Sequence, residues 1–223
     1  TLDFTLTLRL DSFGYSCRIE PSTYIEANTI LPLTGDEAAA AVTLPFAFPF
    51  YGQTYAQAFV STNGFLNFLA SETSYTNGTL PSSTTPNGAI YPFWDDLVID
   101  GSASIRTELL GSAPDRQFVI EWRNAMIYND TGRRMDFAVV LQENGHFFMH
   151  YRNIATDGRE QGSSATLGIE NQTGTVALQY SANEVAVTEG LTVRYRFNQG
   201  PPTISAPVPV LVNGQRLSNP SAG

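Results

Sequence analysis

A chain of 223 residues, 42% apolar and 12% aromatic, is too hydrophobic to stay disordered and long enough to bury one large core or two small ones. Its net charge is −9, its twelve basic residues are all arginine, and these are sparse and scattered, which speaks against nucleic-acid binding and against docking on anionic lipid. No run is long enough to insert in a membrane, and without lysine no Lys–Asn isopeptide cross-link can form.

Thr1 to Leu10 alternates apolar and polar residues without a fault and reads as a leading half-buried strand, 1–10, possible continuation of a preceding module. Residues 11–35 carry turn chemistry and read as mostly loop. Cys17 is the only cysteine, so no disulfide can close within the chain, and a small buried apolar side chain is the expected role. The start at Thr1, without methionine or signal peptide, reads as a processed or excised piece. Glu37 to Ala41 is the best local helix candidate, though too short to be stable alone.

Val42, Leu44, Phe46, Phe48 and Phe50 then alternate like a pleated strand with one buried side. Pro45 and Pro49 cannot donate ladder hydrogen bonds, which predicts a sheet edge or a bulge there. Tyr51-Gly52 marks a turn, and Asn63-Gly64 predicts a hairpin with both turn residues at positive φ. Residues 72–88 read as a long exposed loop. Strand patterns return at 89–98, 103–110, 116–123, 135–141, 147–151, 165–170, 176–180 and 191–197, with hairpins at Asn144-Gly145 and Thr173-Gly174.

Roughly eleven strands with no crossover helix predict an all-β antiparallel sandwich over 11–197. The proline-rich stretch 198–209 reads as a linker, and 210–223 restarts a strand-and-turn pattern as the start of a following β-module.

The runs LPFAFPFYGQTY, VSTNGFLNF, IYPFWDDL, RQFVIEWRN and SATLGIENQTGTVALQY, in that order, resemble a domain of large secreted bacterial proteins that often accompanies subtilisin-like proteases. The domain is distantly similar to the nidogen-type extracellular domain. The tail VLVNGQRLSNPSAG resembles the opening of a bacterial pre-peptidase C-terminal domain. The resemblance implies a secreted, extracellular β-module and no catalytic residues.

Candidate sites are few. His146 and His150 would converge on a metal if helical, but on a strand their Cα atoms lie about 13 Å apart at about 3.3 Å per residue, so both are expected to face solvent. No G-x-S-x-G elbow occurs, and neither histidine is placed to activate a serine or Cys17. Asp95, Asp96 and Asp100, where a strand runs into the Gly101 turn, are the candidate calcium ligands, with ordinary turn-forming aspartates as the competing account. Tyr75 and Tyr128 in loops, with Tyr91 and Trp94 at the FWDD corner, are the candidate ligand-binding aromatics, although Trp94 also suits a core. Trp122 shares a face with Phe118 and Ile120 and belongs to the core. The function expected is non-catalytic recognition of an extracellular protein or matrix surface within a larger chain, alongside its neighbouring domains. A carbohydrate- (glycan-) binding module and a structural spacer are the alternatives.

Overall fold

Each alternating run finds a partner that satisfies its backbone, and the two sheets that result are antiparallel throughout. The computed structural model describes residues 9–156 and 158–197, and the backbone of 211–212 and 215–216. The first eight strands are β1 (Arg9–Leu10), β2 (Tyr15–Ile19), β3 (Thr29–Leu31), β4 (Ala39–Phe50), β5 (Gln53–Ser61), β6 (Leu66–Asn67), β7 (Ala89–Trp94) and β8 (Leu97–Val98). Then follow β9 (Ser104–Leu110), β10 (Gln117–Ile127), β11 (Asp130–Gln142), β12 (Phe147–Arg152), β13 (Thr166–Glu170), β14 (Ala177–Ala182) and β15 (Thr192–Phe197). Leu211–Val212 (β16) pairs with Gln215–Arg216 (β17) in a separate short hairpin. Residues 1–8 and the stretch 198–209 read as a linker lie outside the described residues.

One sheet has nine strands in the order β1-β2-β15-β12-β11-β10-β9-β3, with β8 also on β10; the other has six, β14-β13-β7-β6-β5-β4. Fifteen strands therefore replace the eleven expected. The extra ones are short pieces such as β3 and β6, where two or three residues pair without enough length to show a period. Their inner faces meet in an aromatic core: Trp122 stacks on Phe137 at 5.1 Å and Phe147 on Tyr195 at 4.8 Å. Two hydroxyl- or ring-borne donors cross between sheets, Trp122 Nε1 to the Ser61 carbonyl at 2.8 Å and Tyr151 Oη to the Pro92 carbonyl at 2.7 Å. Cys17 is buried in this core as a free thiol.

The proline reasoning for β4 holds on both counts: β4 is the edge of its sheet, and its register with β5 shifts between Thr43 and Phe48. Elsewhere local signals lost to tertiary pairing. Ala39–Ala41 of the expected helix open β4, because Phe59–Ser61 supply their hydrogen-bond partners. The Asn63-Gly64 turn has positive φ at Gly64 alone, and a Cβ there would fall on the Phe93 carbonyl oxygen. The two-residue turn with positive φ at both positions is Tyr51-Gly52, which joins Phe50 to Gln53.

Two segments read as loops prove to be covers. Residues 20–28 lie across the outer face of the nine-stranded sheet, where Tyr24, Ile25 and Ala27 pack on Val119, Ala138 and Val140. The fully buried Glu121 carboxylate holds this strap, accepting from Ala27 N at 2.9 Å and Tyr24 Oη at 3.1 Å, while Arg152 lies over the Tyr24 ring at 4.3 Å. His150, expected in solvent, is only 1% exposed because Tyr24 covers it edge-on. Burial accordingly pushes its imidazole down to about 4. Residues 70–88 cover the six-stranded sheet in the same way. Their backbone bonds Gln179 through Leu80 N and Glu170 through Ser82 N, and Tyr91 Oη reaches the Pro86 carbonyl.

Candidate functional site

Strand β7 ends at Trp94, and the chain turns through Asp95-Asp96 before β8, bringing three otherwise distant segments to one corner of the sandwich. Asn63, wholly buried, is the hub: its side-chain amide donates to the Thr73 carbonyl at 2.9 Å and accepts from Leu97 N at 2.9 Å. It thereby ties the β5–β6 turn to both the 70–88 strap and the corner. The sequence marks Asn63 only as a turn residue, a lone amide flanked by apolar strands.

The acidic groups at the corner differ sharply in environment. Asp95 is buried, accepts from Ser164 Oγ at 2.6 Å and from Asp96 N at 2.8 Å, and burial raises its pKa in spite of those bonds. Asp96 is half-buried. Burial, then the carboxyls of Asp36, Asp95 and Glu37, push it up to about 6, with Arg159 opposing. One oxygen each of Asp36 and Asp96 is shielded from solvent without a hydrogen-bond partner among the described residues. Asp100 has a different fate: the Arg134 guanidinium bonds both its oxygens, at 2.5 and 3.1 Å, and holds its carboxyl down at about 2. The three aspartates considered together for calcium therefore separate into a corner pair and a salt-bridged residue. Among the described residues, no group of three or more His, Cys, Asp or Glu stands ready to hold a metal ion.

The four candidate aromatics separate as well. Tyr91 and Trp94 stack on one another at 5.1 Å and are buried, with Phe65, beneath the 70–88 strap, whose Leu80 packs on them. Trp94 Nε1 is satisfied by the Ser74 carbonyl at 2.8 Å. Both were candidate contact residues; a covering segment invisible to strand periodicity makes them core instead. Tyr75 and Tyr128 are exposed, at 48% and 40%. Tyr75 follows Ser74, which caps Trp94, and Tyr128 N donates to the Asp96 carbonyl at 2.9 Å, so both belong to the same corner.

His146 immediately precedes β12 and His150 lies within it. His150 is under the 20–28 strap, and His146 Nδ1 accepts from Phe197 N at 3.3 Å. A polar cavity of about 190 Å³ lies at the far end of β10, between Arg116, Gln117, Gln142 and Asn144, with the Arg116–Glu143 pair forming one wall at 2.6 Å.

The sequence profile of the NIDO-related family matches residues 14–202, a span that runs from the turn before β2 to just beyond β15. No curated protein and no solved structure matches the chain.

Proposed function

This chain belongs to the NIDO-related family, and from that premise we propose that it is a non-catalytic, extracellular recognition module of a larger secreted bacterial protein, with a protease as one fitting parent. The observation that carries this reading is the pattern of exposure. The chain's own segments cover the middle of both broad faces of the sandwich, while Tyr75 and Tyr128 stand out beside the acidic pair at the β7–β8 corner. Exposed tyrosines on loops held by a rigid scaffold suit contact with a protein or matrix surface, since each offers a large contact area at a small entropic cost. A glycan platform would draw on a row of open rings, and the burial of Tyr91 and Trp94 leaves two of the four rings for it. Calcium enters this reading only at Asp95 and Asp96, because Asp100 is committed to Arg134. A melting temperature that neither calcium nor chelator moves would remove the metal from it.

The test is binding of the 223-residue chain to immobilised extracellular matrix proteins and to a glycan array, compared with a Tyr75→Ala/Tyr128→Ala variant. The reading expects binding to a protein surface that the variant weakens by about tenfold or more. Binding confined to glycans supports the carbohydrate alternative, and binding to neither supports a spacer.

A further inference from the structure

The outer face of the nine-stranded sheet carries a charge arrangement that its own stability does not call for. Arg18 on β2 is paired in register with Arg194 on β15, and Arg196 follows on the same face two residues later. Like charges directly opposite across a ladder destabilise it. Among the described residues, the three guanidinium groups share a single carboxylate, Glu20. It accepts from Arg18 Nε and Nη2 at 2.9 and 2.6 Å, from Arg194 Nη1 at 2.7 Å and from Arg196 Nη2 at 3.3 Å. The other arginine pairs are balanced: Arg116 has Glu143, Arg133 has Asp130 and Arg134 has Asp100, while Arg123 and Arg152 meet Glu26, Glu121 and Asp136. Among the described residues, three guanidinium groups on one carboxylate therefore make a local excess of positive charge on this face of a chain whose net charge is −9.

Two buried donors there lack acceptors among the described residues, Arg194 Nε and Arg196 Nε. Glu20 therefore does not satisfy every donor of Arg194 and Arg196, whose side chains remain 18% and 36% exposed. The positive field reaches His146, whose imidazole is held below its ordinary value by burial and then by Arg194 and Arg196. Apolar groups flank the charges: Arg194 lies over the Phe148 ring at 4.9 Å, and Leu10, 45% exposed, shares the cross-strand row of Ser16 and Arg196.

We propose that the Arg18–Arg194–Arg196 face is a second binding site, separate from the β7–β8 corner, that takes side-chain carboxylates of an acidic polypeptide. Glu20 shows the binding mode, since a glutamate carboxylate already sits between the forks. The flanking Phe148 and Leu10 suit the apolar portions of a peptide, which an extended sulfated polymer lacks. Glu20 then acts as an internal competitor at the root of the 20–28 strap.

The experiment titrates the full 223-residue chain with a hexaglutamate peptide, a hexaglutamine control and a heparin-derived hexasaccharide, following binding by calorimetry and the arginine Nε–Hε signals by NMR. Hexaglutamate is expected to bind and to shift the Arg194 and Arg196 signals. Glu20→Gln should tighten binding by about threefold or more, and Arg194→Gln/Arg196→Gln should weaken it by about tenfold or more. Arg106→Gln and Tyr75→Ala/Tyr128→Ala should leave it unchanged, which separates this site from the corner. Should the double variant fail to fold, Arg196→Gln alone, whose side chain is the more exposed, carries the same expectation. Absent binding, unmoved Arg194 and Arg196 signals, undiminished affinity in the arginine variants, or binding of the hexasaccharide in place of the peptide would each overturn the proposal.

Discussion

Asp96 titrates near pH 6 because burial and the neighbouring Asp36, Asp95 and Glu37 carboxyls disfavour its charged form. Its folded-state value lies above the unfolded one, so its contribution to stability is complete below about pH 4 and is lost as pH rises through 6. Glu170, pushed up to about 7 chiefly by burial under the 70–88 strap, acts in the same direction over a window that extends to neutral pH. Asp96→Asn should therefore raise stability at pH 7.5 by about 1 kcal/mol, allowing for solvent screening, and leave it unchanged near pH 4. Urea unfolding at the two pH values checks this, and equal midpoints for variant and wild type at pH 7.5 would contradict it. Little of this was legible in the sequence. The FWDD run marked the place, but Asp36 and Ser164 reach it from 60 or so residues away on either side, Asp36 held by Thr62 and the neighbouring Gly35–Ile99 bridge and Ser164 by its bond to Asp95.

Strands with a long period-2 pattern, such as β4 and β11, could be read directly, and so could the edge position of β4 from its two prolines. The straps could not. Ala27 is 94 residues from Glu121 in sequence, and nothing local in PSTYIEAN distinguishes a segment that lies on a sheet from one that hangs in water. The mistaken helix at EAAAA has the same origin, since propensity yields once a neighbouring strand supplies every backbone bond. Removing the anchor should expose the strap: Glu121→Ala leaves Ala27 N, Tyr24 Oη and the Arg123 guanidinium short of their acceptor, at a cost of about 2–4 kcal/mol. Limited proteolysis should then cut within residues 20–28 ahead of global unfolding. A variant cut no faster than wild type there would show that packing on Val119, Ala138 and Val140 is enough to hold the segment.

At the scale of the molecule, two sheets supply one aromatic core, and two straps add thin apolar layers outside them. What the sequence conveyed well was the all-β class, because inward rows such as Met135, Phe137, Val139 and Leu141 follow from the pleat alone. What it conveyed poorly was which surface is left over for contact, because that depends on where non-periodic segments come to rest. The account rests on the chain's own segments covering the middle of both outer faces. Hydrogen–deuterium exchange tests this most directly at the amides of Ala27, Leu80, Ser82 and Gly88, each bonded to a sheet residue or its connecting turn in the folded chain. The account predicts protection at these four amides well above that of an open loop. Exchange at the rate of an unstructured peptide at Ala27 and Ser82 would mean that the straps lie free, and would return Tyr91, Trp94 and His150 to the surface.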